Sequence, residues 1–283
     1  MFEKVNKYHP DKVADRIAGA VVDLATRKNA NAKVACEVLI GHGIATIIVE
    51  TNATMRRGEI RNIVKRIAGT QRGYVITIVP QDKHLADNQQ EEVRCGDNGI
   101  FKGCPITEEQ RTLTDIARSI TGKHPSDGKY VLDGNDCTIC QSNATEETLI
   151  ADLFEYSKWK DGNEGRKYHI NPLGYWKGGL NVDSGATNRK LGSDMGDGVT
   201  GGGLHGKDLS KADVSVNIVC HILAQYAKQE VTASCAIGDT DITFRFADGR
   251  EEKRTYAEVV DKAKQHITAV GGFEKFAEWG LID

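Results

Sequence analysis

Residues 183–213 read DSGATNRKLGSDMGDGVTGGGLHGKDLSKAD and hold eight of the 30 glycines of the chain. Glycine-rich backbone can approach a ligand closely and turn several N–H groups toward an anion. The same stretch carries four cations and five aspartates. Arginine and lysine bind phosphate oxygens, and aspartates can hold Mg²⁺ together with substrate phosphates. The composition therefore predicts a site for a polyphosphate with its metal; the alternative is a solvated surface loop.

Two shorter patterns inside this stretch have simpler interpretations. Ser210-Lys211-Ala212-Asp213 fits a helix capping box, in which case Asp213 serves only to start a helix. Residues 201–208 read GGGLHGKD, which is close to a P-loop. A P-loop follows an apolar strand and ends in Ser or Thr, whereas no such strand precedes Gly201 and Asp208 takes the last position. We therefore expect no P-loop.

Length and composition bound the class of protein. A chain of 283 residues with 39% hydrophobic and 27% charged residues can bury a real core in one large or two to three small domains. A net charge of −3 gives no basic field that would favour nucleic acid. The apolar runs are far shorter than a membrane span, and the N-terminus lacks a signal-peptide core. These features predict a cytoplasmic protein that binds neither nucleic acid nor membrane.

The seven cysteines are expected to be reduced thiols in that compartment. Cys137 and Cys140 lie three residues apart in a β-like run, so they should face opposite sides of a strand. We therefore predict structural cysteines here rather than half of a zinc site.

The periodicity of apolar residues predicts an α+β chain of mostly antiparallel sheets with helices packed on them. His9-Pro10-Asp11-Lys12 opens a helix whose N-terminus would attract anions. Two β-rich runs, 33–40 and 44–50, predict a hairpin. Further helices are predicted at 60–67, 107–122, 146–159 and 255–270, and capping boxes at Thr107 to Gln110 and Thr255 to Glu258 mark two of their starts. Further strands are predicted at 74–79, 130–132, 231–236 and 242–246, and loops at 81–97 (mobile) and 160–166.

Two glutamates stand in the predicted hairpin. Strand alternation puts Glu37 on one face with Ala35 and Leu39, and Glu50 ends the second strand. A carboxylate among apolar neighbours needs a cation or a set of hydrogen bonds if it is buried. The pattern is equally compatible with edge or surface glutamates.

An ordered set of motifs resembles the S-adenosylmethionine synthetase (methionine adenosyltransferase) family over nearly the whole chain. The matching stretches are, in order, HPDK at 9–12, VACE at 34–37 with the hairpin to Glu50, GDNG at 96–99, DGK at 127–129, INPLG at 170–174, RK at 189–190, GGG at 201–203, GKD at 206–208, SKAD at 210–213 and AIG at 236–238.

Departures from the family pattern accompany these matches. Tyr8 stands where the family usually has Gly, Asn98 stands for Gln, and Tyr175-Trp176 stands for Arg-Phe. The run after Gln81 lacks the usual Ser-Pro-Asp. The stretch from 194 to 208 and the chain as a whole are shorter than is usual, so we expect a shortened member of the family.

The resemblance implies three interleaved α+β domains related by pseudo-threefold symmetry, each a mostly antiparallel sheet with helices on one face. We place them at 1–90, 91–172 and 173–283. It also implies a homodimer with active sites between subunits, and synthesis of S-adenosylmethionine from ATP and L-methionine with Mg²⁺ and K⁺. The methionine sulfur would attack ribose C5′, and the released tripolyphosphate would be hydrolysed to phosphate and diphosphate.

Two other outcomes stay open from the sequence. One is a catalytically silent relative that binds nucleotide and regulates a partner. The other is an enzyme of the same fold that only hydrolyses tripolyphosphate.

The resemblance further implies a role for each matching charged or aromatic residue. Mg²⁺ would be held by Asp11 and Asp213, and K⁺ by Glu37. Methionine would be bound by Glu50, Gln81, Asp183 and Lys211. ATP would be bound by His9, Asp127, Lys129, Tyr175, Trp176, Asp183, Arg189, Lys190 and Lys207. Catalysis at the leaving phosphates would rest on His9, Lys129, Arg189 and Lys207, and Trp176 would stack on adenine. Asp97 would lie nearby, in a role that the resemblance does not fix.

Overall fold

The computed structural model describes residues 1–82, 93–159 and 165–283. In this part of the chain the strands are β1 (Phe2–Val5), β2 (Val34–Gly41), β3 (Ile44–Thr51), β4 (Gly73–Val79), β5 (Gly99–Gly103), β6 (Gly128–Asp133), β7 (Asp136–Gln141), β8 (Lys167–Ile170), β9 (Ser184–Ala186), β10 (Val231–Cys235), β11 (Asp241–Phe246) and β12 (Glu251–Thr255). The α-helices are α1 (Pro10–Lys28), α2 (Arg57–Ala68), α3 (Glu108–Lys123), α4 (Glu146–Trp159), α5 (Leu191–Met195), α6 (Ala212–Ala227), α7 (Tyr256–Val270) and α8 (Phe273–Trp279).

The described strands form three sheets of four strands each. The first sheet has the order β4-β3-β2-β9, the second β1-β6-β7-β8 and the third β12-β11-β10-β5. Antiparallel pairing dominates, and the parallel exceptions are β3 with β4 and β7 with β8. A helix connects the strands of each parallel pair, as such crossovers require. The predicted α+β class with mostly antiparallel sheets is confirmed.

Each sheet includes one strand that is distant in sequence from the other three. Ser184–Ala186 completes the first sheet beside Leu39–Gly41. Phe2–Val5 completes the second sheet, and Gly99–Gly103 completes the third. The chain therefore passes back and forth between sheets, and the predicted division at residues 90 and 172 stays a prediction.

The predicted local elements are largely confirmed. The helices after His9, around Ile60, after Thr107, after Thr145 and after Thr255 form, as do the hairpin and the strands at 74–79, 130–132, 231–236 and 242–246. Cys137 is buried and Cys140 half-buried on the opposite side of β7, as predicted. The loop predictions fall largely on residues 83–92 and 160–164, which lie outside the described residues.

Two predicted capping boxes form and one does not. Thr107 with Gln110 and Thr255 with Glu258 make both reciprocal hydrogen bonds. The box predicted at 210–213 is wrong, because α6 begins at Ala212 with Lys211 as its N-cap and no side-chain cap. The Ser210 hydroxyl donates instead to Asp208 Oδ1 at 2.5 Å. The hydroxyl that would cap α6 is therefore bonded to Asp208, and Asp213 is not part of a capping box.

The first sheet has one buried face and one open face. Val38, Ile40 and Val49 point into the core formed with α1 and α2. The opposite side, which we call the open face, carries apolar side chains that are about half exposed: Leu39, Ile44, Ile48, Val75 and Val79. Glu37 and Glu50 lie on it and are exposed in the single chain, so neither is a buried carboxylate there.

The remaining sheets complete the core. The third sheet packs against α6 and α7 around Phe101, Phe244 and Tyr256. The second sheet packs against α3 and α4 around Leu113, Tyr130 and Leu149. Within the described ranges, no helix is both long and apolar enough to span a bilayer.

Gly103 is required where β5 meets α6. A Cβ at this position would lie 2.1 Å from the carbonyl oxygen of Cys220, which is helix backbone and cannot move aside cheaply. We predict that Gly103→Ala lowers the free energy of unfolding by about 1–3 kcal/mol or more, as overpacking does. Urea unfolding followed by circular dichroism measures this.

The matched control is Gly122→Ala in α3, where no described atom beyond the adjoining helix backbone lies within 4 Å of the added Cβ. That substitution should raise stability by about 0.5–1 kcal/mol, because alanine favours helix over glycine. Equal effects of the two substitutions would contradict the close packing of β5 on α6.

Candidate active site

The N-terminus of α1 presents His9 and Asp11 side by side. His9 is the N-cap, and its Nδ1 accepts the backbone N–H of Asp11 at 3.2 Å. Burial lowers the pKa of His9 to about 4, although Asp11 opposes the shift. The ring is therefore neutral at pH 7, and with Nδ1 accepting, its proton sits on Nε2. His9 can thus donate one hydrogen bond from Nε2 to an oxyanion.

Strand β9 lies directly against this helix end. A Cβ at Gly185 would fall 2.0 Å from the carbonyl carbon of Pro10, so only glycine allows the approach. Asp11 Oδ1 then accepts the backbone N–H of Ala186 at 2.9 Å. Arg189 Nη1 and Lys190 Nζ lie 3.6 and 3.5 Å from the Asp11 carboxylate.

Asp127 adds a second carboxylate to this region. It is 7% exposed, and its Oδ2 accepts the backbone N–H of Gly179 at 3.1 Å. Burial raises the pKa of Asp127 to about 6; Asp183 and Asp11 raise it, whereas Lys190 opposes them. A carboxylate with so little hydration gains from any cation or hydroxyl that reaches it.

These groups act on one another electrostatically and form what we call the helix-end cluster: His9, Asp11, Asp127, Asp183, Arg189 and Lys190. The charge of Lys129 also lowers the pKa of His9, although its ammonium is paired with Glu3 at 2.6 Å. The structure thus brings together seven of the predicted site residues.

Trp176 borders this cluster. Its Nε1 donates to Asn171 Oδ1 at 3.2 Å, and the ring packs on Gly178. A Cβ at Gly178 would come 2.7 Å from the indole and 2.9 Å from Asp127 Cβ, so the glycine lets the two residues share one wall. Tyr175 is exposed. Stacking of Trp176 on adenine stays a prediction.

A second group, the loop cluster, consists of Lys207, Lys211 and Asp213. Lys207 Nζ lies 2.5 Å from Asp213 Oδ2. Lys211 and Asp213 belong to the buried start of α6. The loop is fixed to the sheet because Cys36 N donates to the Gly206 carbonyl at 2.7 Å and Ala35 bridges to Lys207. The described residues directly before this loop form no strand, so the expectation of no P-loop holds.

The two clusters are separate within one chain. Gly206 packs on Ala18 of α1, seven residues beyond Asp11, which is about 10 Å along a helix. No hydrogen bond or ion pair within the described ranges joins Asp11 to Asp213. Each chain therefore presents two charged groups, near opposite ends of β2.

The other predicted site residues lie apart from both clusters. Glu37, on the open face, accepts the Thr187 hydroxyl, and Glu50 is exposed on the same face. Gln81 Oε1 is buried without a hydrogen-bond partner among the described residues. Asp97 is half-buried, and its Oδ1 accepts the backbone N–H of Asn98 at 2.8 Å. Their predicted roles are neither supported nor contradicted by these contacts.

Sequence reasoning missed a fully buried polar group beneath the helix-end cluster. It comprises Lys12, Asp15, Asp194 and His205, all at most 2% exposed. Asp15, Asp194 and His205 offer three ligand atoms close enough to share an ion. Lys12 Nζ already lies 2.6 Å from Asp194, 3.2 Å from Asp15 and 3.3 Å from His205. This ammonium supplies the positive charge that a metal would bring. The spacing of Asp11 and Asp15, one helical turn apart, was the available signal.

The raised pKa of Asp127 gives a pH prediction. The pKa of Asp127 is about 6 in the folded protein and 3.8 ordinarily, so the protonated carboxyl stabilises the native state. This stabilisation is complete below pH 3.8 and is lost as the pH rises through 6. Asp127→Asn mimics the protonated form and keeps an acceptor for Gly179. We predict that it stabilises the ligand-free protein above pH 6 by up to about 3 kcal/mol, with the gain vanishing below about pH 4.

Thermal and urea unfolding between pH 4 and pH 8 measure this gain. Asp136→Asn is the control, because this exposed carboxyl has its pKa lowered by His169 and should give no gain at neutral pH. A pH-independent difference between Asp127→Asn and the unmodified chain would contradict the prediction.

Comparison with known proteins connects this geometry to a family. Residues 1–90 match the family model described as S-adenosylmethionine synthetase, N-terminal domain. The chain is 27% identical over 306 residues to the S-adenosylmethionine synthase of Borreliella afzelii, covering 88% of this chain and 77% of that protein. It is 25% identical over 299 residues to the S-adenosylmethionine synthase of a Nitratiruptor species, covering 87% and 76%. With the synthase of Mesoplasma florum the identity is 27% over 303 residues, covering 88% and 79%. By these comparisons the chain is similar to S-adenosylmethionine synthases over most of its length, and its first 90 residues match the N-terminal domain of that family.

Proposed function

We propose that the protein makes S-adenosylmethionine from ATP and L-methionine. The observation that carries the proposal is the helix-end cluster. It brings His9, Asp11 and Arg189-Lys190 from distant motifs within contact of one another, beside Asp127 and Trp176. These are donors and cations for phosphates next to a flat aromatic ring for a base.

The chemistry suits these residues. The thioether of methionine is a neutral nucleophile, so alignment of its sulfur with ribose C5′ supplies much of the acceleration. Charge develops on the leaving tripolyphosphate, and preplaced cations stabilise it there. Arg189, Lys190 and Lys207 provide those charges. Neutral His9 donates from Nε2 toward the oxygen that leaves C5′.

The metal ligands fit hard cations. Among the described residues, Asp11 Oδ2 makes ion-pair contacts alone, at 3.5 Å with Lys190 and 3.8 Å with His9. Asp11 and Asp213 would hold Mg²⁺ together with phosphate oxygens, which is how Mg²⁺ is usually bound. Bound there, Mg²⁺ neutralises phosphate charge. Glu37 would hold K⁺, and Glu50, Gln81, Asp183 and Lys211 would bind methionine, with Lys129 and Asp97 beside the phosphates.

The open face supports a homodimer with shared sites. Three adjacent strands expose Leu39, Ile48 and Val75 at 53%, 47% and 55%. A continuous apolar patch of this kind marks an interface, and a two-fold dimer buries the same patch on both copies. Because Glu37 and Glu50 lie within this face, pairing would also bury two predicted site residues. We further propose that the three sheets represent three pseudo-threefold-related domains.

One assay separates this function from the alternatives. The purified chain is incubated with ATP, methionine, Mg²⁺ and K⁺, and S-adenosylmethionine and phosphate are measured. We expect both products. Phosphate alone would instead support a tripolyphosphatase, and neither product would support a silent nucleotide-binding relative.

Mixed dimers test whether each site combines the helix-end cluster of one copy with the loop cluster of the other. Arg189→Ala breaks the first cluster and Asp213→Asn the second. Each variant alone should be inactive. A mixed dimer, purified with two different tags, should regain about half of the normal activity, because one of its two sites contains neither substitution.

An inactive mixed dimer would place each site within one chain. Equilibrium sedimentation of all three species provides the control, since each must remain dimeric for the comparison to hold.

A further inference from the structure

Two carboxylates of α1 hold the segment that carries the cations of the helix-end cluster. Asp11 Oδ1 accepts the backbone N–H of Ala186 at 2.9 Å, and Asp15 Oδ1 accepts that of Asn188 at 2.8 Å. Residues four apart on a helix are separated by about 6 Å, and residues two apart on an extended chain by about 6.6 Å. The spacing of Asp11 and Asp15 along one face of α1 therefore equals the spacing of the backbone N–H groups of Ala186 and Asn188.

Asn188 extends this connection to the glycine-rich loop. Its backbone is left-handed, with φ 62°, which Asn tolerates better than most residues. Its side-chain Oδ1 accepts the N–H groups of Leu204 and His205 at 2.9 and 2.8 Å, and its Nδ2 donates to the His205 carbonyl at 3.1 Å. One residue thus joins the segment of Arg189 to the loop of Lys207.

The buried group beneath fixes Asp15 in place. Asp15 is fully buried, and its Oδ2 faces the Lys12 ammonium at 3.2 Å. Lys12 is held in turn by Asp194 at 2.6 Å, and Asp194 Oδ2 lies 2.9 Å from His205 Nε2. Every side chain in this group is restrained by at least one partner of opposite charge or by a hydrogen bond.

We propose that Asp15 and Asn188 are positioning residues, which hold Arg189 and Lys190 in one site of the dimer and Lys207 of the same chain in the other, each where it can reach the phosphates. Both residues act through the backbone that carries those cations: Asp15 accepts the N–H of Asn188, and Asn188 accepts the N–H groups of Leu204 and His205. The inference rests on the proposed function for its substrate, a triphosphate chain with Mg²⁺.

The test measures binding of inorganic tripolyphosphate with Mg²⁺ by calorimetry, separately from turnover. Asp15→Ala removes the acceptor of the Asn188 N–H, whereas Asp15→Asn keeps one. We expect at least about tenfold weaker binding in Asp15→Ala and, per folded molecule, a kcat/KM for ATP lowered roughly 100-fold through both KM and kcat, since a misplacement near 1 Å has that effect. Asp15→Asn should stay close to the unmodified protein.

Asp23→Ala is the matched control. Asp23 also lies on α1 and accepts two backbone N–H groups, from Phe273 at 2.9 Å and Glu274 at 3.0 Å, far from the site. Its loss should lower stability and the active fraction but leave KM and tripolyphosphate affinity unchanged. The proposal is overturned if Asp15→Ala behaves like Asp23→Ala, or if Asp15→Asn and Asp15→Ala lose binding equally.

A second variant covers the case in which Asp15→Ala does not fold. Asn188→Gly keeps the left-handed backbone and the N–H that Asp15 accepts, but it removes the amide that holds Leu204 and His205. We expect weaker tripolyphosphate binding, and unchanged binding would overturn the proposal. An unmodified protein that binds tripolyphosphate but makes no S-adenosylmethionine would refute the proposed function and leave this inference standing; one that binds no tripolyphosphate would overturn the inference.

Discussion

The ion pair between Lys12 and Asp194 is the contact on which the arrangement of the site depends. Both side chains are fully buried and lie 2.6 Å apart. Burial alone would raise the pKa of Asp194, but Lys12 and His205 hold it below its ordinary value. The main chain of Asp194 accepts the N–H groups of Leu281 and Ile282, so the C-terminal segment closes over the same point. A buried pair of this kind adds little net stability, because desolvation offsets the attraction, yet losing one partner costs about 3–5 kcal/mol. Its contribution is to decide which segments meet: helix α1, the glycine-rich stretch and the C-terminus.

Close backbone approach is the second constraint, and glycine satisfies it at each junction. Gly185 lets β9 touch the first turn of α1, and Gly206 lets the loop reach the Cys36 carbonyl. Gly280 lies against Asp194, where a Cβ would come 2.4 Å from that side chain. The glycines of residues 183–213 therefore serve packing as well as ligand approach. The sequence predicted that these glycines give phosphate access to backbone N–H groups. The structure shows that they also allow the close contacts that fix the loop against α1 and β2.

Strand β2 links the core to the site because its side chains point alternately to the two faces of the sheet. Its inward side chains fill the core with α1, while its outward side carries Glu37 and Leu39 on the open face. One end pairs with β9 and the other with the segment around Lys207. Strand β2 thus contacts both the segment that leads to Arg189 and the loop that carries Lys207. An open apolar face of this kind is a costly surface for a single chain, which supports the proposed pairing with a second copy.

Local sequence determined the local structure, because apolar periodicity, turn glycines and capping pairs act over a few residues. The helix after His9, the hairpin to Glu50 and the capping box at Thr107 could all be predicted in this way. The strands at 2–5, 99–103, 184–186 and 251–255 could not, since they are short or charged and gain their stability from partners far away in the chain.

The same holds for the site. The resemblance of the motifs to a known family indicated Asp11, Arg189 and Asp213, whereas the grouping of the first two apart from the third followed from tertiary contacts. Asp194 gave no signal beyond its charge, and Asp15 gave only its spacing of one helical turn from Asp11, because burial of a carboxylate is a property of the folded chain and not of its sequence neighbours.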